Sequence, residues 1–259
     1  MKTKLKKLYE GKAKIIYQKN TKEVHAYYKN DATAFNNLKK GSIKDKGKIN
    51  NAICSYLYEI LNNADIPTHF IKKIDKNTQL LEKVDIVPIE VLVRNYFAGS
   101  LSKKFGIKEG TKIPDALIEY CLKSDELGDP HISPEHIFTM SLCDPETLEL
   151  IDDYSLRVND ILRSVFYTVG LKLIDFKLEF GISKKSNELV LADEISPDTC
   201  RLWDLKTNEK LDKDRFRRDL GNLIEAYQDV ARRLGIMPEE TNISEVNFGK
   251  TASIKFKKK

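Results

Sequence analysis

Only four cysteines occur in the 259 residues (Cys54, Cys121, Cys143 and Cys200), with no CxxC and no histidines close by. That excludes a disulfide framework and a cysteine-based zinc site, and it fits a reducing cytoplasm. Apolar runs are short, and none approaches the ~20 residues a membrane-crossing helix needs. Met1 is followed by lysines rather than by an apolar stretch, so no secretory signal is expected. There is no internal repeat, no low-complexity tract, no Walker A sequence and no serine or cysteine beside a partner base. The expectation is a soluble cytoplasmic protein with room for one large domain or two modest ones.

Hydrophobic residues make up 41% of the chain, which argues against disorder, and charged residues make up 32%. The net charge of +5 favours an anionic partner, which composition alone leaves open between nucleic acid and a phosphorylated metabolite. A nucleic-acid module needs a basic stripe interleaved with aromatics, whereas here 39 acids are interspersed among the bases. Only the terminal runs KTKLKK and KFKKK are strongly basic, and they read as solvated tails. Neither a nucleic-acid nor a membrane partner is expected.

The most informative stretch is Leu173 to Asp204, LIDFKLEFGISKKSNELVLADEISPDTCRLWD. Ile174, Phe176, Leu178 and Phe180 share one parity, and Asp175, Lys177 and Glu179 the other. A strand would put these sets on opposite faces. Gly181 to Glu188 is turn-like and Leu189 to Ile195 is apolar again, which predicts a hairpin. With its centre near Ser186, Asp193 falls opposite Glu179. Like charges so placed repel, and a hard cation such as Mg²⁺ would resolve the conflict. The competing reading is an amphipathic hairpin whose polar face meets water. Against it stand Asp193, Glu194, Asp198, Arg201, Trp203 and Asp204, crowded around a strand-breaking Pro197.

Upstream, Lys14 to Tyr17 and Val24 to Tyr28 read as strands. Gly11, Lys12, Ala13 and Lys14 open the first of them and could lie over phosphates, or be a basic turn in solvent. Asp45, Lys46 and Gly47 precede a helix expected from about Asn50, with an apolar stripe at Ile49, Ile53, Tyr56, Leu57 and Ile60. Thr68 to Ile71 and Leu80 to Val93 are strand-like, the latter interrupted at Pro88. A lobe boundary is expected between Val84 and Pro88, and a cleft between lobes suits a ligand. Arg94 and Ser100 flank a glycine in RNYFAGS, a candidate phosphate or carboxylate cradle, although a lone arginine is more often a surface ion-pair partner. His131 and His136 are expected to be solvated. Further helices are predicted from Leu156 to Val169, stopping at Gly170, and from Phe216 to Leu234, stopping at Gly235.

The runs LYEGKAK, VPIEVLVRNYFAGSL, LIDFKLEFG, LADEISPDTCRLWD and DKDRFRRDLG, in this order, resemble the SAICAR synthetase family from about Leu8 to Leu234. One departure is Phe35-Asn36-Asn37, where the family often shows FNG. The resemblance implies an α+β, two-lobed fold, with an N-terminal antiparallel lobe over residues 1–86 and an ATP-grasp-like lobe over 87–236. Residues 237–259 would be an appendage. It implies a ligase that uses ATP and Mg²⁺ to join L-aspartate to the carboxylate of carboxyaminoimidazole ribotide, and a homodimer is common among relatives. Carried onto this chain, Gly11, Lys12, Ala13, Lys14 and Lys123 would meet the ATP phosphates, and Lys83, Val84 and Ile86 would edge the adenine. Glu179 and Asp193 would hold Mg²⁺. Lys177 would stabilise the transferring phosphoryl group, with Asp175, Glu194 and Asp198 in support. Arg94, Ser100 and Arg201 would bind the ribotide, and Asp45, Lys46 and Gly47 are candidates for the aspartate. Two other classes compete. A kinase is suggested by Asp-Phe-x-x-x-Phe-Gly at 175–181 but lacks an HRD-type loop, and a nucleic-acid module rests on net charge alone.

Overall fold

The computed structural model describes residues 5–34 and 39–237. Phe35-Asn36-Asn37 and all but the first residue of the expected appendage therefore lie outside the described residues. In chain order, β1 (Lys6–Glu10), β2 (Lys14–Gln18), β3 (Glu23–Tyr28), β4 (Asp31–Ala34) and β5 (Lys39–Ser42) precede α1 (Lys46–Asn63). Next come β6 (Phe70–Lys73), β7 (Thr78–Glu82), β8 (Val84–Tyr96), α2 (Gly99–Phe105), β9 (Lys112–Leu122), β10 (His131–Ile132), α3 (Pro134–Thr139) and α4 (Pro145–Thr168). Last are β11 (Leu171–Ser183), β12 (Leu189–Ala192), β13 (Cys200–Asp204), α5 (Asp214–Arg217) and α6 (Leu223–Arg233).

Two antiparallel sheets carry the fold, in the α+β arrangement the sequence predicts. The first runs β1-β2-β3-β7-β6. The second runs β10-β9-β8-β11-β12, with β13 also on β11, and β4 and β5 form a separate ribbon. The chain passes from one sheet to the other between Glu82 and Val84, within three residues. One core serves both sheets: Val24, Ala26 and Leu81 share it with Val91, Phe176 and Phe180, and with Ile53 of α1, Phe166 of α4 and Val230 of α6. Among the described residues no helix is long and apolar enough to cross a membrane.

The strand read from Leu80 to Val93 is two strands in different sheets. Pro88 does not end β8, and the register against β11 slips where it sits, between the pairs Glu179↔Glu90 and Gly181↔Ile86. A proline has no N–H for the ladder, so its place is at an irregularity. α1 starts four residues before the expected Asn50, because Lys46 and Gly47 are already packed inside. A Cβ on Gly47 would collide with the Tyr28 carbonyl oxygen. The helix expected from Phe216 to Leu234 is broken into α5 and α6, where Asp219, Gly221 and Asn222 take left-handed backbone. Gly170 and Gly235 do stop their helices, at φ 74° and 73°.

β11 is the centre of the second sheet, and its register corrects two expectations. Glu179 lies opposite Ala192 of β12, not Asp193, so the hairpin is one residue out of the predicted register. The like-charged pair directly across strands is Glu179 with Glu90 of β8. Ile174 does not share a face with Phe176 either. A bulge at Leu173/Asp175 turns it to a satellite cluster with Ala98 and Trp203. Nor does the hairpin's polar face lie in water, for Asp175 and Glu179 are only 5% and 4% exposed.

Candidate active site

A cleft of about 870 Å³ opens where the two sheets meet. One end is apolar, walled by Ile16, Val24, Ala26, Leu81, Leu92 and Phe176, with Lys83, Val84 and Ile86 of the inter-sheet connection along its edge. The remainder alternates cations with carboxylates. Gly11, Lys12, Ala13, Lys14, Arg94, Ser100, Lys123, Asp175, Lys177, Glu179, Asp193, Glu194, Asp198 and Arg201 all line it. Residues from both sheets and three separate loops thus share one space.

The turn from β1 to β2 closes when the Gly11 N–H donates to the Lys14 carbonyl (2.8 Å), which lays Lys12 and Lys14 over the cleft. Lys12 reaches Asp125 in the loop beyond β9 (2.6 Å), so the two sheets are tied across the opening. Lys14 hydrogen-bonds Asp193 and lies 3.3 Å from Glu194. Lys177 is the hub. It meets Glu90 at 2.8 Å, hydrogen-bonds Glu179 and approaches Asp193 at 3.7 Å, while Lys123 meets Glu179 at 2.9 Å. Burial works against the Lys177 charge, yet Glu179, Asp193 and Glu90 outweigh it and hold its pKa well above the usual lysine value. Burial likewise opposes ionisation of Asp193, but Lys14, Lys177 and Lys123 keep its carboxyl below the usual range.

Asp193 reaches this hub in spite of its register. Its φ of 59° is left-handed, which ends the strand and breaks the alternation. A residue one place out of step can then face Lys14 and Lys177. Glu179 and Asp193 therefore converge on the same ammonium, although they are not cross-strand partners. Among the described residues no three His, Cys, Asp or Glu side chains gather as a ready metal cage.

The other flank is built around Asp175. Its cross-strand neighbours are Arg94 on β8 and Arg201 on β13, and both donate to its Oδ2, at 3.0 and 2.8 Å. Arg94 also hydrogen-bonds Glu119, and Arg201 donates to Asp214 (3.1 Å). Ser100 enters on α2 beside Gly99, where φ is 58° and a Cβ would stand 2.5 Å from Arg201 Nη2. Only glycine lets the chain and the guanidinium pass this closely.

Asp45, Lys46 and Gly47 do not line the cleft. Lys46 is buried and hydrogen-bonds Asp198, whose other oxygen accepts from the Tyr227 hydroxyl at 2.6 Å. Gly47 serves close packing, and Asp45 carries the left-handed turn into α1 at φ 65°. His131 and His136 are exposed, as expected, and His136 caps the start of α3. Sequence reasoning missed Glu90, Glu119, Asp125, Lys213 and Arg217. Glu90 shares strand parity with Arg94, a signal that was present. Lys213 and Arg217 lie within DKDRFRRDLG, and both line the cleft.

Alternating cations and acids in a cleft between two antiparallel sheets define an enzyme that handles anionic substrates. The family model for SAICAR synthetase matches residues 7–234. A phosphoribosylaminoimidazole-succinocarboxamide synthase of Sphingopyxis alaskensis is 53% identical over 237 residues, covering 90% of this chain and 92% of that one. The crystal structure of such a synthase from Ehrlichia chaffeensis aligns with a TM-score of 0.87 at 49% identity, over 90% of this chain and all of that one. A SAICAR synthetase solved in complex with ADP aligns equally well, with a TM-score of 0.87 at 43% identity, covering 90% and 99% of the two chains. The chain belongs to the SAICAR synthetase family, ligases of purine biosynthesis, and has their ATP-grasp-like fold.

Proposed function

We propose that this enzyme condenses L-aspartate with the carboxylate of carboxyaminoimidazole ribotide, consuming ATP and releasing ADP and phosphate. The observation that carries this reading is the Lys177 hub, an ammonium held among Glu90, Glu179 and Asp193 in a cleft with an apolar end. A carboxylate is a poor electrophile, so its oxygen first takes the γ-phosphoryl group of ATP. The amine then attacks the acyl carbon and loses a proton, and phosphate departs with the former carboxylate oxygen. Phosphoryl transfer asks chiefly for positioning and charge neutralisation, which lysines supply without a protein nucleophile.

In this arrangement the apolar end takes the adenine, edged by Lys83, Val84 and Ile86. Gly11 to Lys14 and Lys123 take the phosphates, and Lys177 meets the group in flight. Arg94, Ser100 and Arg201 hold the ribotide, oriented through Asp175. Asp198 is held by Lys46 from behind the cleft wall. Residues 1–86 and 87–236 act as the two lobes, and 237–259 stand outside this assignment.

Mg²⁺ fits the donor set. Two carboxylates that reach one ammonium can also share a hard cation, which takes oxygen ligands and completes its shell with phosphates and water. Glu179 and Asp193 would hold it. When bound, it would neutralise phosphate charge that the lysines alone do not cover. The test is ADP release with Mg²⁺ and ATP, leaving out the ribotide and L-aspartate in turn. Turnover that needs both supports the reaction, and ADP release that needs neither overturns it.

A further inference from the structure

Asp45, Lys46 and Gly47, the residues expected to take L-aspartate, lie outside the cleft, so the second substrate needs another place. The cations of the cleft differ in one respect. Among the described residues, each of them pairs with a carboxylate except Lys83, on the edge of the apolar end, and Lys213. Lys213 is half-buried, and burial pushes its pKa below the usual lysine value in spite of the pull of Asp198. An ammonium taken from water without a partner is a cost to the fold, and in a cleft it marks a binding group whose partner arrives with a ligand.

Local structure fixes where this ammonium stands. The Lys213 N–H donates to the Pro197 carbonyl (3.0 Å), which anchors it beside Asp198. Its own carbonyl accepts from the Arg217 N–H (3.0 Å) as α5 begins, so Lys213 and Arg217 stand four residues apart on one helix face. Both line the cleft. Arg217 donates to Asp214 through Nη1 (2.7 Å), and the other oxygen of Asp214 accepts from Arg201 (3.1 Å). The buried Asp214 thus seats Arg217 next to an arginine given to the ribotide. Asp198 completes the group from the cleft wall, one oxygen held by Lys46 and the other by the Tyr227 hydroxyl (2.6 Å). A carboxylate oxygen has two lone pairs, so each can accept once more.

Two cations and one carboxylate are the reverse of the charge pattern of an α-amino dicarboxylate. We propose that Lys213 and Arg217 bind the two carboxylates of L-aspartate and that Asp198 accepts from its amino group. This rests on the proposed reaction and supplies the substrate that it leaves without contacts. The place suits the chemistry, because the amine has to reach the ribotide carboxylate and Asp214 joins this subsite to Arg201. It also gives selection, since an amino acid with a single carboxylate would leave one of the cations unpaired.

The test is steady-state kinetics of the full chain with ATP, ribotide and L-aspartate varied in turn, in parallel with Tm. Lys213→Met is expected to raise the KM for L-aspartate by roughly 10–100-fold, the scale of one hydrogen bond between charged groups. The KM values for ATP and the ribotide should change little. Tm should hold or rise, since Asp198 keeps Lys46 and Tyr227. Lys213→Arg, which keeps the charge, should recover most of the affinity. If Lys213→Met does not fold, Arg217→Gln should show the same aspartate-selective rise, because Asp214 keeps Arg201. An unchanged KM for L-aspartate in a folded variant overturns the proposal. So does an equal or larger rise for the ribotide, which would assign these cations to its phosphate. Wild-type turnover that does not need L-aspartate would instead sink the proposed reaction, so the two failures are told apart.

Discussion

Arg94 and Arg201 donate to the same oxygen of Asp175, from the two strands that flank it. Asp175 is 5% exposed and Arg94 3%, so this carboxylate holds a buried guanidinium and the half-buried one of Arg201 in register. Removing one member of a buried ion pair strands the other, at roughly 3–5 kcal/mol. Asp175→Asn should therefore lower stability by roughly 3 kcal/mol and raise the KM for the ribotide more than that for ATP. Steady-state kinetics with each substrate varied would check this, and a rise confined to ATP would refute it.

At Gly99 the backbone comes close to the Arg201 guanidinium. Gly99→Ala adds a Cβ 2.5 Å from Arg201 Nη2, at a φ of 58° that alanine tolerates poorly. The expected result is a destabilisation of about 1–3 kcal/mol and a raised ribotide KM with kcat much less affected. Chemical denaturation together with the same kinetics reads both, and a wild-type KM would show that Arg201 has room to move.

Lys177 sits among three carboxylates, Glu90, Glu179 and Asp193, and bridges them. Lys177→Met should reduce kcat by about 10²–10³, the usual loss for one charge contact made in the transition state, with KM for ATP changed less. Rapid-quench measurement of ADP formation would locate the loss in the phosphoryl step. If kcat held and only the ribotide KM rose, Lys177 would instead be a binding residue.

Asp212 is wholly buried and accepts the N–H groups of Leu202 (2.9 Å) and Asp214 (2.7 Å). Burial, and then the charge of Asp214, push its pKa up to about 7. The unfolded chain releases this proton near the ordinary aspartate value, roughly 3.9. Between the two values the folded state holds one proton more. The stability this group contributes is thus complete below about pH 4 and is lost as pH rises towards 7, by at most ~1.4 kcal/mol per pH unit. Tm followed from pH 4.5 to 7.5 should decline less steeply in Asp212→Asn, and parallel curves would disprove the assignment.

Much of this was legible in the chain. The alternation from Ile174 to Glu179 predicted a strand with a charged face, and the strand is there. Glycines at 170 and 235 predicted helix stops, because left-handed backbone favours a residue without Cβ. What misled was counting residues across the hairpin. The turn centre cannot be located from a run of Ser, Lys and Asn, and an error of one residue exchanges every partner. Ile174 failed for a related reason, since a bulge shifts parity without leaving a mark in composition. β9 was not foreseen, because Pro114 and its polar neighbours do not look like a strand until β8 pairs with them.

By itself the sequence determined the local choices: which segments could be strands, where helices stop, and that acids and bases cluster between Asp175 and Asp204. It also determined the family, through runs of residues specific enough to name it. Only the tertiary structure decided which acids meet. Glu90 and Glu179 face each other because β8 and β11 pair in one particular register, and Asp193 joins them because its backbone turns left-handed. Strand register and a single strained φ depend on what packs behind them, and those contacts span more than a hundred residues of chain, as between Tyr58 and Ala192.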